Sequence, residues 1–294
     1  MNSESGEAFV VKHPIFQEPN IIRLVLVVSL SLRIFAVNNT AMATKINEIN
    51  RLVPRDALLF SSWLSEHGID RKEQTLYVRS GWLERVARGV YKFAGAEPTV
   101  YSAVASYNAQ LGRQCHIAAS TSLDLRGYSH FIAMGKPTAC IMTEDNVKLP
   151  GWMAAGDWDM TIKYFSSSIF GTEGLGIEKM TVDGYELTVS SPERAFMECL
   201  NMSPVQYSLM DTYYVMEMLT TLRPKLVQRL LEACSSVKVK RLFLYMAEKS
   251  GHSWFKALDL SRIELGSGQR VLASGGRYIS KYLITIPKEL ADYE

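Results

Sequence analysis

The side chains of this 294-residue chain best placed to do chemistry lie between Arg71 and Lys92. Arg71, Gln74, Thr75, Val78 and Arg79 fall at i, i+3, i+4, i+7 and i+8, so a helix would carry them on one face. Arginine neutralises phosphate, and Arg, Gln and Thr can pair with base edges. Over the same stretch six basic residues (Arg71, Lys72, Arg79, Arg85, Arg88, Lys92) stand against two acidic ones (Glu73, Glu84). The whole chain carries only +2, so positive charge is concentrated here and offset elsewhere. That balance excludes a histone-like polycation and points to local recognition of a polyanion.

Bond-making chemistry has weaker signals. The chain has no Gly-x-Ser-x-Gly, Walker loop, His-Glu-x-x-His or dinucleotide fingerprint. Asp157, Asp159 and Lys163, with Glu178 and Lys179, faintly match metal-nuclease spacing, but acid-rich loop ends are the commoner source of such patterns. Gly266-Ser267-Gly268 and Gly275-Gly276 are too short for a phosphate cradle and read as turns. The four cysteines form no Cys-x-x-Cys pair and, with five scattered histidines, give no zinc spacing. Free, mostly buried thiols in a reducing cytoplasm are expected. Tyr207, Tyr213 and Tyr214, in a stretch with Met210, Met216 and Met218, read as core packing; binding of a ligand or partner is the other reading, and the Met excess would also suit an adaptable protein interface. The expectation is a protein that is not an enzyme, with no catalytic residue, metal or cofactor.

The elements that must position the basic residues can be read around them. Ser61-Ser62 is expected to cap a short helix with Trp63 and Leu64 buried. Gly68 makes the turn, and Asp70 with Glu73 forms a capping-box signature for the next helix. Ile69, Leu76 and Tyr77 are assigned to its inward faces. Ser80-Gly81 ends it. Trp82–Val86 and Val90–Phe93 flank Ala87-Arg88-Gly89 as a hairpin. Helix, turn, helix and basic hairpin make a winged helix-turn-helix, whose second helix enters the major groove. A protein-docking module, or an ordinary α/β piece with a solvated basic face, would share this pattern.

Upstream, Thr44–Val53 reads as an amphipathic helix with Ile46, Ile49 and Val53 on one side, ended by Pro54. Downstream, Gly95–Pro98 is a junction and Thr99–Gly112 a helix. Ile117–Leu125 holds a short strand and a small-residue helix. Thr138–Met142 and Met160–Phe165 are strands, and Asp183-Gly184 joins Ile177–Val182 to Tyr185–Val189 in a hairpin. Ser190-Ser191-Pro192-Glu193 starts a helix. Helices follow over Ser208–Thr220, Pro224–Cys234 and Val237–Lys249, and Tyr278–Pro287 closes as an alternating strand. The fold class is α+β: an N-terminal winged helix-turn-helix, then a larger mixed α/β C-terminal domain. The domains are 42–95 and 96–294, preceded by an extension, 1–41. In that extension the apolar run Leu24–Leu32, between Arg23 and Arg33, resembles a secretory core but is too short to span a bilayer. The reading adopted is that Met42 is the true start and 1–41 an upstream extension; export, anchoring or an extra strand are the alternatives.

Five blocks then carry a resemblance: ATKINEINRLVPRDALLFSSWLSEHGI, SGWLERVARGVYKFAG, STSLDLRGYSHF, LPGW and VSSPERAFMECL. From about Met42 onward the chain resembles the AbiEi family of antitoxins of type IV (abortive-infection) toxin–antitoxin systems. The resemblance implies a cytoplasmic protein, with no membrane partner, that binds operator DNA in its own promoter and represses its own operon. Its C-terminal domain would neutralise an AbiEii-like nucleotidyltransferase toxin, without needing a stable complex. It carries DNA contact onto Arg71, Lys72, Gln74, Thr75 and Arg79 in the helix and onto Arg88 and Lys92 in the wing. Arg126, His130, Glu193 and Arg194, within the matched blocks, are candidates for the antitoxic role, although Glu193 and Arg194 could be cap charge and a surface ion pair. A stand-alone regulator with a ligand-sensing C-terminal domain is the alternative; a nuclease-like enzyme is a third reading.

Overall fold

A computed structural model describes residues 27–28, 45–128, 135–143, 148–171 and 174–293. The chain divides into two compact units, Met1–Val53 and Pro54–Glu294. In the first, a helix over 45–52 (α1) buries Ile46 and Ile49, the apolar positions expected from the period. Met42 and His130 lie outside the described residues.

The second unit opens with β1 (Leu58–Phe60), α2 (Ser61–Glu66), α3 (Arg71–Arg79), β2 (Leu83–Ala87) and β3 (Val90–Phe93). The three strands pair antiparallel in the order β1-β3-β2, with Leu59 opposite Tyr91 and Arg85 opposite Tyr91. This order is consistent with a winged helix-turn-helix. A register shift between Arg85 and Ala87 leaves Val86 bulged beside the two-residue loop Arg88-Gly89, where Gly89 sits at φ +75°. The open edge of β1 is closed by side chains of α4 (Val100–Leu111) rather than by another strand. Gln110 accepts from Phe60 N (3.0 Å) and donates to the Leu58 carbonyl (2.6 Å), and Ser106 Oγ accepts from Leu58 N (3.1 Å). An edge strand with unpaired amides invites foreign pairing, and these bonds remove that edge.

Behind α4 lies a five-stranded mixed sheet of order β6-β5-β4-β8-β7, from β4 (His116–Ile117), β5 (Thr138–Thr143), β6 (Thr161–Ser166), β7 (Ile177–Val182) and β8 (Tyr185–Ser190). The β7–β8 turn is Asp183-Gly184, both at positive φ (51° and 81°), as an Asp-Gly hairpin requires. β4 is two residues long and meets β8 through one pair, Ile117 with Val189. A short helix α5 (Ala119–Asp124) follows β4, and α6 (Gly151–Ala154) precedes β6.

Helices α7 (Pro192–Met202), α8 (Leu209–Met218), α9 (Pro224–Ala233) and α10 (Val237–Lys249) then supply most of the core. Ser191 caps α7 with Pro192 at its first turn, and α10 spans the residues its sequence predicts. Tyr213 and Met216 are buried, which fits core packing for that aromatic and Met-rich helix. All four cysteines are free and buried. The closing segment differs from expectation. Tyr278–Pro287 is not one strand but parts of β10 (Arg277–Ile279) and β11 (Ile284–Ile286), which pair antiparallel, with β9 (Arg270–Val271) beside β11. Leu283 at φ +50° reverses the chain between them, a conformation that alternation of side chains does not reveal.

Candidate nucleic-acid interface

The second helix of the winged module is fixed by its first turn. Asp70 Oδ1 accepts from the amides of Lys72 and Glu73 (both 2.8 Å), and Glu73 Oε2 accepts from Asp70 N (3.0 Å). This is the capping box expected from the sequence. Gly68, at φ +79°, makes the turn before it. Helix α2, by contrast, begins one residue early: its N-cap is Phe60, without a side-chain bond, and Ser61 is already helical.

Ser61 has another task. Its hydroxyl donates to Gln74 Oε1 (2.7 Å), while Gln74 Nε2 lies in bonding range of the Ser61 carbonyl, Ser65 Oγ and the Ile69 carbonyl. Gln74 is therefore 1% exposed and locks α3 against α2, not on the outward face as expected. Leu76, expected inward, is 45% exposed, and Tyr77 fills the core beside Gln74. The solvent-facing stripe of α3 is Arg71, Lys72, Thr75, Leu76 and Arg79. A polar Gln faces inward because the carbonyls at the α2–α3 turn need donors, a demand set by tertiary packing.

On the wing, Arg85 lies over the Tyr91 ring at 5.9 Å and Arg88 is exposed at the loop. Lys92 is held inward: it pairs with Glu84 (3.1 Å) and donates to the Ala96 carbonyl (2.8 Å). Glu84 is lowered below the usual carboxylate range by the Gly95 amide first and then by Lys92. Lys92 is thus a strut of the hairpin, a correction to its place among the outward cations. Among the described residues no ion pair engages Arg71, Lys72, Arg79, Arg85 or Arg88. Trp82, 44% exposed, stands between helix and wing. The result is a face with five cations, one threonine and two apolar side chains.

The other candidates fall in a different place. Arg126 pairs with Glu178 (2.8 Å), which also meets Arg223 (2.7 Å). Arg223 in turn holds Glu193 through its amide, Nε and Nη2 at 2.8 to 2.9 Å. Glu193 and Arg194 are each 1% exposed, so the surface ion pair considered for them does not exist. Arg194 donates to Glu198 Oε1 and to the Leu175 carbonyl (both 2.8 Å) and lies 4.7 Å from the Phe170 ring. Glu198 also receives Ser190 Oγ (2.8 Å), Ala119 N (3.0 Å) and His116 Nε2 (3.3 Å). Burial opposes its ionisation, yet the bond and charge of His116, then the charge and bond of Arg194, hold it down to about 2. Sequence spacing gave no sign of this cluster, whose partners lie up to 82 residues apart. The buried pair is part of an interior scaffold.

The acid set considered for metal is dispersed among other partners. Asp159 accepts from Val100 N (2.8 Å), Asp157 meets Lys136 (3.2 Å), Lys179 meets Glu186 (3.2 Å) and Lys163 reaches Gln206 (3.4 Å). Among the described residues no group of three or more His, Cys, Asp or Glu side chains is arranged to hold a metal. Nor is any described helix long and apolar enough to cross a membrane.

Residues 42–134 match the family model described as the transcriptional regulator AbiEi antitoxin N-terminal domain, and residues 136–287 match that of the transcriptional regulator, AbiEi antitoxin, type IV toxin–antitoxin system. The chain belongs to the AbiEi antitoxin family. Family membership is that of an antitoxin and transcriptional regulator. No curated protein matches this AbiEi chain. Among solved structures, the RV2827C protein from Mycobacterium tuberculosis resembles it with a TM-score of 0.58 at 14% identity, covering 84% of this chain and 91% of that one. At that identity the likeness is one of fold. The AbiEi family models meet near residue 135, in the stretch between α5 and β5.

Proposed function

We propose that this AbiEi chain is a type IV antitoxin that represses its own operon, reading operator DNA with α3 and its wing, and that its larger C-terminal part neutralises an AbiEii-like nucleotidyltransferase toxin. The supporting observation is the exposed stripe of Arg71, Lys72, Thr75 and Arg79 on a capped helix, with Arg88 on the adjoining loop and no carboxylate pairing with these cations among the described residues. Such a helix presents base-reading donors flanked by phosphate-neutralising charge. Regulation and toxin neutralisation then belong to separate surfaces.

Fluorescence anisotropy on a labelled duplex from the chain's own upstream region tests the first half. Removing one cation from a phosphate should lower the salt slope of log K by about 1, so Arg71→Ala with Arg79→Ala should lower it by about 2. An unchanged slope and affinity would remove α3 from the interface. Co-expression with the neighbouring toxin gene tests the second half. The same double variant should still rescue growth while failing to repress a promoter fusion; loss of rescue together with repression would show that the two roles share one surface.

A further inference from the structure

Helix α2 opens without a side-chain cap, yet its first amide has a partner. Ser61 N donates to the Gly89 carbonyl of the wing loop (2.9 Å), one step beyond the last β1–β3 pair, Phe60 with Val90. The first amides of a helix find no acceptor inside it, so here a wing carbonyl stands in for the capping side chain. Gly89 presents that carbonyl from φ +75°, a conformation glycine takes at little cost. With the wing doing the capping, the Ser61 hydroxyl is available to α3.

The Gln74 head group grips Ser61 at two points. Its Oε1 accepts from Ser61 Oγ (2.7 Å), and its Nε2 donates to the Ser61 carbonyl (3.1 Å) and the Ile69 carbonyl (2.9 Å). Carbonyls only accept, so the amide nitrogen must face them and its oxygen must face the hydroxyl. Ser65 Oγ donates to the same Ser61 carbonyl (2.9 Å) and completes the group. One residue therefore joins the helix to the wing tip, its side chain and carbonyl bonded to α3 and its amide to the residue after Arg88. Elements held in place before binding spend less entropy on being ordered when they bind.

We infer that Ser61 is a positioning residue for DNA reading: on the reading that α3 and the wing meet DNA, it holds Arg88 at a fixed offset from Arg71, Thr75 and Arg79, so that helix and wing engage as one rigid body. Ser61 acts without touching DNA. When its hydroxyl is removed, Gln74 Oε1 loses its donor, α3 and the wing settle independently, and Arg88 has to be ordered at the moment of binding.

A double-mutant cycle in the full-length protein tests this, with anisotropy on the labelled upstream duplex and the active fraction fixed by stoichiometric titration. Ser61→Ala should weaken binding about threefold to tenfold, the worth of one neutral hydrogen bond. Arg88→Ala should cost about tenfold in the otherwise unaltered protein but only about threefold beside Ser61→Ala, because a contact that must first be ordered returns less. A Ser61 that served stability alone would lower the folded fraction and leave the two effects multiplicative. Ser61→Thr, which keeps the donor, should restore the tenfold effect of Arg88. The unaltered protein gives a measurement that depends on no variant folding: amide order parameters at Arg88 and Gly89 should match those of α3, about 0.85. Multiplicative effects, a Ser61→Thr variant that behaves as Ser61→Ala, or wing-tip order parameters below about 0.6 would each overturn the inference while α3 still reads DNA. If Arg71→Ala with Arg79→Ala leaves affinity for the duplex unchanged, the DNA-reading proposal itself fails, and the role of Ser61 falls with it.

Discussion

Glu198 is the residue whose perturbation the structure lets one work through furthest. Its side chain is 2% exposed and receives donors from α7 (Arg194), β4 (His116), β8 (Ser190) and the start of α5 (Ala119). Its acidity falls from an ordinary 4.5 to about 2 in the fold. A group with a depressed folded value contributes stability above its unfolded value and loses it as pH falls towards the folded one. For a shift from 4.5 to about 2 the full contribution is about 3 kcal/mol, of which about 2 kcal/mol should vanish between about pH 5 and pH 3. Glu198→Gln removes that titration and leaves Arg194 buried without its carboxylate, so the variant should be about 3–5 kcal/mol less stable near neutrality. Urea unfolding followed by tryptophan fluorescence at a series of pH values gives both numbers. The variant's stability should fall less steeply with acid than that of the wild type, by up to about one proton's worth, or ~1.4 kcal/mol per pH unit. Equal acid slopes in the two proteins would refute the assignment of a carboxylate ionised by these four donors.

Three shorter tests address side chains whose placement the sequence misread or did not reveal. Gln74→Leu should destabilise the fold by about 2–3 kcal/mol in denaturant unfolding, because the Ser61 hydroxyl and the α2–α3 turn carbonyls would be left without their partners; full stability with loss of DNA affinity would make Gln74 a base reader after all. Leu76→Ala should leave the melting temperature nearly unchanged, since the side chain is 45% exposed; on the proposal that α3 enters the major groove, where Leu76 would meet thymine methyls, it should weaken operator binding by about 1 kcal/mol. Replacing those thymines with deoxyuridine should weaken the wild type and not the variant; equal weakening of both would count against that role for Leu76. Gly176→Ala, at φ +74° with Arg194 Cβ 3.0 Å from the added carbon, should cost about 1–3 kcal/mol in the same unfolding assay, and a neutral result would show that the α7 cluster yields.

What the sequence announced was local. Asp70 with Glu73, Asp183-Gly184 and Ser191-Pro192 each specify a cap or turn within four residues, and each stands where it was expected. What it concealed depends on partners outside such a four-residue window. Gln74 faces inward because of Ser61 and Ile69, and Lys92 is taken up by Glu84 across the hairpin. Glu193 looked like helix-cap charge until Arg223, 30 residues on, reached it. The winged module was legible as an order of elements and as a basic stretch. The outward face of α3 was legible in part: Arg71, Thr75 and Arg79 are exposed as expected, while Gln74 and Leu76 trade faces, since a shift of one position on a helix turns a side chain by about 100°.

The brevity of β4 has a mechanical consequence. With only His116 and Ile117 in the middle strand, and a single residue pair joining it to β8, the five-stranded sheet is two stiff flaps, β5–β6 and β7–β8, meeting at a narrow seam. Backbone bonds inside each flap are many and those across the seam few, so the side-chain knot around Glu198 acts as the rivet. Loosening that rivet should therefore weaken the seam between the flaps before it weakens the pairing inside either one.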